Sequence, residues 1–333
     1  MPWLHYHWDM SFIALLLALL LEQARPPSAR QSIDKLFGHW ADWLRHTLDA
    51  GDKRHAWTAW GLAVGLPCLL AVLVHWLLWW FGGWLLAMLW SLAVLYATLG
   101  FRRFSHHFTG IRDALATGDD ELARELLRQW QGDLDPTMPR AEIVRHVIEH
   151  SALSAHRHVF GVIAWFSVLA AVGLGPAGAL LFRFSALLST HWRVTPSALE
   201  VDAAQSSPAL QGVTETAWQG VDWLPARMTA LSFAVVGNFE DAVDAWRQDG
   251  NHFANANDGV VLAATAGAIN VRLGGVGLRQ PLSDSIEADP VVEPTAGREP
   301  EVAHLRSMVG LVWRAVVMWM VLLALLTLAR LLG

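Results

Sequence analysis

The stretch WTAWGLAVGLPCLLAVLVHWLLWWFGGWLLAMLWSLAVLYATL, Trp57–Leu99, decides the fold of this 333-residue chain. It contains no Asp, Glu, Lys or Arg. Trp57 to Phe81 and Trp84 to Leu99 each approach the ~20 apolar residues that a helix needs to cross a hydrocarbon layer. Gly82-Gly83 between them is too short for anything but a tight reversal, so the stretch predicts a helical hairpin over 57–99. Trp76, Trp79, Trp80 and Trp84 cluster at the turn, where amphipathic rings settle at headgroup level. Pro67 removes one N–H from the first arm, and a neighbouring group must satisfy the carbonyl it frees.

Working outward, both flanks of the hairpin are basic: Arg25, Arg30, Lys35, Arg45, Lys53 and Arg54 precede it, and Arg102 and Arg103 follow. Positive charge in short loops favours the cytoplasmic side, which turns the hairpin tip outward and gives an apolar helix at 10–24 an extracytoplasmic amino end. The start lacks the basic residue and small-residue cleavage site of a secretory signal. Composition agrees with a membrane class: 54% of residues are apolar against 16% charged, and mean hydropathy is +0.33. A net charge of −6 leaves no basic excess for nucleic acid. Cys68 is the one cysteine, so no intrachain disulfide forms, and its apolar setting reads as packing.

Residues 102–157 change character. Ile111, Leu115, Leu122, Leu126 and Trp130 recur at helical spacing among charges, and Thr117-Gly-Asp-Asp120 breaks the run, with Asp119 or Asp120 capping the second helix. A further amphipathic helix begins at Pro139, and these segments are expected as cytoplasmic helices beside the membrane. The apolar region 159–188 is divided by Gly173-Leu-Gly-Pro176 and reads either as one broken span or as a short hairpin. Residues 211–275 hold short apolar helices set against polar groups, with Pro225 placed to open one of them. A polar loop covers 276–307, and 308–332 is the final span, with Arg314 and Arg330 able to snorkel. The expected fold class is an all-α polytopic membrane protein in a single domain, with about four to six inserted helices and amphipathic cytoplasmic segments.

Chemistry must lie in the polar segments. Arg227, read as a first-turn residue, opposes the helix dipole and calls for an anion, either Asp222 or a bound phosphate. Asn255, Asn257 and Asp258 precede another helix amino end, where N–H groups bind anions and oxygen ligands suit Mg²⁺. Ordinary capping by Asn257 or Asp258 and surface pairing by Arg227 is the simpler reading of the same residues. His146 and His150 share a helical face with Glu149 beside them, yet no zinc-type spacing supplies a third ligand. There is no phosphate-loop signature, no nucleophile elbow, and Gly274-Gly275-x-Gly277 lacks the strand-turn-helix setting of a dinucleotide site.

The stretch Asp222-Trp-Leu-Pro-Ala-Arg-Met-Thr-Ala-Leu231, then Asn255-Ala-Asn-Asp-Gly259 and Ala266-Gly-Ala-Ile-Asn-Val-Arg-Leu-Gly-Gly275, resembles the CobD/CbiB family of cobalamin-biosynthesis membrane proteins. Glu142 to Phe166 and Gly175-Pro-Ala-Gly-Ala-Leu-Leu-Phe-Arg183 are similar to its central region in layout. The resemblance covers nearly the whole chain and implies a bacterial inner-membrane, multi-pass synthase. Such enzymes join aminopropanol or its phosphate to a carboxylate of adenosylcobyric acid, with ATP and Mg²⁺. It implies Arg227, Asp222 and Glu149 as catalytic residues, and Arg227, Asn255, Asn257, Asp258 and Arg272 as cosubstrate-binding residues. Asp258 and Glu22 are implied as metal ligands. The implied partners are the lipid bilayer, a corrinoid, aminopropanol phosphate and further copies of the chain in a homo-oligomer. The family's central run Glu-x-x-x-Glu-Asn-x-x-Asp is represented by Glu149 and then Leu153-Ser-Ala-His156-Arg157, and Glu22 stands where the family has Asp. In these departures the chain is similar to the related AmpE-like branch, which implies the alternative of a noncatalytic regulatory or signalling membrane protein.

Overall fold

The computed structural model describes residues 3–24, 30–132, 135, 137–193, 206–274 and 294–332. Among the described residues the chain is helical, and the one sheet-like feature is an isolated parallel bridge between Val271 and Arg298. In chain order the helices are α1 (Trp3–Ala24), α2 (Arg30–Leu48), α3 (Lys53–Thr98), α4 (Phe101–Thr117), α5 (Asp120–Gln131) and α6 (Arg140–Ala155). A π-helical turn, His156–Phe160, leads into α7 (Gly161–Ala171), followed by α8 (Ala177–His191), α9 (Pro208–Val236), α10 (Phe239–Asp249), α11 (Ala256–Ile269) and α12 (Val302–Leu332). The single domain expected from the sequence divides into two compact units. Residues 1–99, 161–225 and 323–333 form one, and residues 100–160 and 226–322 form the other. The segments expected as a loop over 276–307 and as a basic flank at Arg25 lie outside the described residues up to 293 and at 25.

In the first unit, α3 is the expected hairpin. Trp90 Nε1 donates to the Ala71 carbonyl at 3.1 Å, and Ser91 Oγ lies 3.3 Å from His75 Nδ1. On a straight helix those pairs would stand about 28 and 24 Å apart, so the chain must double back between them. It does so at Gly83, whose φ of 72° and ψ of −172° suit glycine alone. Leu69, Leu73, Trp80 and Phe81 are exposed on the first arm, an apolar surface of the kind that lipid covers. The amphipathic helix α2, overlooked in the basic flank, packs on α3 and α8. Asp34 pairs with Arg183 at 3.1 Å and Asp42 with His191 at 3.1 Å. Each partner moves eight residues along its own helix, so α2 and α8 run parallel. Phe37 and Phe184 stack between them with centroids 4.1 Å apart.

The region 159–188 folds back at Gly173–Pro176, where α7, the end of the longer helix Arg140–Ala171, gives way to α8. Helices α7 and α8 pack on each other. A Cβ on Gly178 would meet the Trp165 backbone, and one on Gly161 would meet the Phe182 ring, so both glycines permit the close approach. The reading of Pro225 as a first-turn residue is corrected. Helix α9 starts at Pro208, where Ser207 Oγ accepts from Leu210 N at 3.1 Å, and Pro225 lies in its interior. Proline there lacks the N–H that would bond the carbonyl of Val221. Trp165 Nε1 donates to that carbonyl at 2.8 Å and replaces the missing bond.

In the second unit α4 and α5 form the expected αα-hairpin, ended by Gly118 in the left-handed region and restarted by Asp119, which caps Leu122 N at 3.0 Å. Helix α6 departs from expectation: it is a buried helix packed on α4, α5 and α11. It continues without a break through the π turn into α7, giving a 32-residue helix over Arg140–Ala171 that is apolar enough to cross a membrane. Its Arg, His and Glu residues suggest a surface helix by sequence, but Arg145, His146 and Glu149 are buried. Helices α10 and α11 lie close because Gly267 faces the Asp241 backbone with no room for a side chain. Trp319 Nε1 of α12 donates to Ser232 Oγ at 2.8 Å.

By length and composition three described helices suit a crossing: Lys53–Thr98, which is the hairpin, Arg140–Ala171 and Val302–Ala329. Phe12–Gln23 and Ala256–Ile269 are shorter apolar helices. The latter, about 20 Å long, is a core helix, since nearly every residue from Asn257 to Ala268 is buried. The protein is an all-α membrane protein.

Candidate functional site

The polar groups expected to carry chemistry converge in the second unit on the amino end of α11. Asn255 takes the N-cap conformation, and its Oδ1 accepts from the N–H groups of Asn257 at 2.9 Å and Asp258 at 3.3 Å. That leaves Asn257 and Asp258 in the first turn, where the helix dipole favours the Asp258 carboxylate. Two guanidiniums reach these neighbours from different helices. Arg227 of α9 donates through Nη1 to Asn257 Oδ1 at 3.0 Å. Arg157 of the π turn donates through Nη2 to Asp258 Oδ2 at 2.5 Å. Asp258 Oδ1 is buried and has no hydrogen-bond donor among the described residues. With two guanidiniums against one carboxylate, these four side chains carry a net positive charge that suits phosphate.

The π turn places Arg157. The extra residue in such a turn shifts the register of side chains, and around it His156 Nδ1 lies 2.9 Å from Thr229 Oγ1 on α9, both buried. Arg227, Asn255, Asn257 and Asp258 are therefore brought together as expected. Arg227 itself lies deep in α9, not in a first turn, so the dipole argument for its need of an anion no longer applies. Asp222 is fully buried in the first unit.

Glu149 and Arg272 lie elsewhere. Glu149 is buried on α6, eight residues and about 12 Å of helix before Arg157. Its Oε1 accepts from the Gly274 N–H at 2.7 Å. Arg145 Nε stands 3.8 Å from the same oxygen, and the Arg145 guanidinium forms an ion pair with Glu142. Arg272 follows the carboxyl end of α11, the opposite end from Asn255. Its side chain is exposed and its N–H bonds the Arg298 carbonyl at 2.8 Å. Glu22 is buried in α1 of the first unit.

Among the described residues no three His, Cys, Asp or Glu side chains stand together as a metal ion would require. Mg²⁺, however, keeps waters and is commonly held by one or two carboxylates together with substrate phosphates, and the open Oδ1 of Asp258 fits that role. The His146 and His150 face meets aromatic packing: His150 lies edge-on to Trp130 at 4.3 Å, and Trp130 stacks on His107 at 5.8 Å. Sequence reasoning missed Arg157, which lies in the run His156-Arg157-His158 just before the apolar α7.

The CobD/Cbib protein family profile matches residues 12–192 and 219–329. The chain is 28% identical to a cobalamin biosynthesis protein CobD of Stutzerimonas stutzeri over 316 residues, covering 94% of this chain and 96% of that protein. It is 32% identical to a protein of the same name from Chromobacterium violaceum over 195 residues, 57% of each chain. A third, from Mycobacterium tuberculosis, is 40% identical over 100 residues, 27% of this chain and 30% of that protein. No solved structure matches.

Proposed function

Because the chain belongs to the CobD/Cbib protein family, we propose that it is an amide-forming synthase of cobalamin biosynthesis in the bacterial inner membrane. The substrates are adenosylcobyric acid, ATP and aminopropanol or its phosphate. The observation that carries this reading is the meeting of Arg227 and Arg157 on adjacent first-turn residues of α11. The acid would take the terminal phosphoryl group of ATP to form an acyl phosphate, releasing ADP. The amine nitrogen then attacks the acyl carbon, the C–N bond forms, the C–O bond to phosphate breaks, and the nitrogen loses a proton.

In that scheme Arg227 and Arg157 hold phosphate oxygens where charge accumulates. Asn257 keeps Arg227 in place, and Asn255 orients the N–H groups of the first turn. Mg²⁺ would be held by Asp258 with the phosphates and would supply charge neutralisation. Arg272 at the far end of α11 and Glu22 in the other unit have no step in this scheme. A homo-oligomer in the lipid bilayer would bring further copies of the site.

The test is purified full-length protein in detergent with Mg²⁺, ATP, adenosylcobyric acid and aminopropanol phosphate, with product read by mass. Product is expected, and Arg227→Ala should lower its rate by about 100-fold, the effect of removing one preorganised charge-stabilising donor. No product together with no corrinoid binding overturns the proposal. One observation favours an AmpE-like regulatory protein instead: the Asp258 carboxylate is already engaged by Arg157. Binding of a protein partner without nucleotide would favour that second reading.

A further inference from the structure

Arg157 and Arg227 reach the amino end of α11 from two separate elements, the π turn and α9. What ties those elements together lies beside the arginines. His156 Nδ1 stands 2.9 Å from Thr229 Oγ1, and both residues are fully buried. His156 immediately precedes Arg157, and Thr229 follows Arg227 by two positions. Further along each element by four residues, Phe160 meets Phe233 edge-on with centroids 5.5 Å apart. The π turn and α9 therefore run parallel in contact, held by one polar and one aromatic pair.

The two pairs do different work. An edge-on ring pair is favourable over centroid separations of about 4.5–7 Å, so it brings the elements together without fixing their rotation. A hydrogen bond weakens steeply as its angle departs from linear, and leaving a buried imidazole nitrogen without its partner is costly. The His156–Thr229 bond thus pins the rotation of the π turn on α9. The turn is also held from other sides. The His158 carbonyl accepts from the Gly100 N–H at 3.1 Å, and His158 Nδ1 lies 3.0 Å from the Ser154 carbonyl. These contacts keep the rare π geometry at this point of the helix.

We infer that His156 and Thr229 are positioning residues, whose bond sets the separation at which Arg157 and Arg227 offer two guanidiniums to one polyphosphate. The inference rests on the synthase reading, in which both arginines hold phosphate oxygens. Neither His156 nor Thr229 is asked to touch the ligand. Rotation of the π turn would carry Arg157 off the first turn of α11 while Asn257 kept Arg227 in place.

The test uses the full-length protein in detergent, with magnesium pyrophosphate as probe and its affinity read by calorimetry. Thr229→Val keeps the threonine shape and removes the hydroxyl. It should weaken binding about tenfold, the weight of one charge-assisted hydrogen bond. Thr229→Ser restores the hydroxyl and should bind like the parent. In the Arg157→Ala background, Thr229→Val should cause no further loss, since the two changes remove the same contact. Ile111→Ala opens a cavity in the core on α4, so it should lower the unfolding midpoint and leave the affinity unchanged. The inference is overturned if Thr229→Val binds like the parent, if Thr229→Ser is as weak as Thr229→Val, if the losses at Thr229 and Arg157 add, or if Ile111→Ala weakens binding as much. A parent that binds no pyrophosphate overturns the inference and the phosphate site together. The expected coupling without amide product overturns the synthase reading alone.

Discussion

In α3 the large apolar side chains face outward and polar groups are scarce: Leu69, Leu73, Trp80 and Phe81 are exposed, and His75 is tucked inside the hairpin. In α6 the arrangement is reversed. Arg145, His146, Glu149 and Ser151 are buried, and the helix is surrounded by protein. Lipid accepts any apolar residue with little preference, so single changes on the outer face of α3 should matter little. A buried polar group depends on one partner, and losing that partner leaves it uncompensated.

The largest expected effect is at Arg157. Breaking a buried ion pair by removing one member costs about 3–5 kcal/mol, and the 33% exposure of the Arg157 side chain reduces this to about 1–3 kcal/mol. Arg157→Ala should therefore lower the unfolding midpoint clearly, and adding Asp258→Asn should recover much of the loss. Leu73→Ala on the lipid-facing arm should change stability by about 0.5 kcal/mol or less. If Arg157→Ala and Leu73→Ala prove equally mild, the contrast between the two helices fails.

Backbone geometry sharpens the contrast from the other side, because α3 does depend on one residue. Gly83→Ala forces a side chain into a conformation that glycine alone adopts freely, at about 1–3 kcal/mol. A cysteine pair at Ala71 and Trp90 should cross-link in the parent if the arms fold back. Failure to cross-link would open the hairpin into a straight helix.

An effect of similar size is expected at the proline in α9. Trp165→Phe removes the donor to the Val221 carbonyl and should cost about 1–3 kcal/mol, the penalty of a buried acceptor left unmade. Pro225→Ala restores the helix's own N–H to that carbonyl. The double variant should be more stable than Trp165→Phe alone, and the coupling is read from a double-mutant cycle. Additive losses would show that the indole bond does not replace the one proline removes.

The α3 hairpin, the α4–α5 pair and the final span were legible because period, Gly pairs and apolar length act locally. The grouping of Arg227, Asn255, Asn257 and Asp258 was legible through family resemblance and capping chemistry. Helix α2 was overlooked, although Phe37, Ala41 and Leu44 recur at helical spacing among its charges. The start of α9 was misread because Pro225 is a first-turn signal unless an indole from another helix supplies the missing bond. Arg157 could not be placed without knowing that α11 begins beside it.

The smallest effect concerns a group outside the apolar spans. Asp49, just after α2, accepts from the Ser207 N–H at 2.7 Å, where α9 begins. Burial works to raise its pKa, but bonds from the Ser207 hydroxyl and N–H, with help from Gly51 and Arg45, outweigh it and hold the carboxyl below its usual range. A carboxylate depressed on folding stabilises the fold above its unfolded pKa of about 3.9, and that contribution fades as pH falls through the lower folded value. The stability difference between the parent and Asp49→Asn should thus be flat from neutral pH down to about pH 5 and shrink below about pH 4. Leu73→Ala on the lipid face should show no such pH dependence, because no titrating group is lost. A difference at Asp49→Asn that grows on acidification would mean that Ser207 binds the protonated acid better than the carboxylate, and the start of α9 would then be held by some other contact.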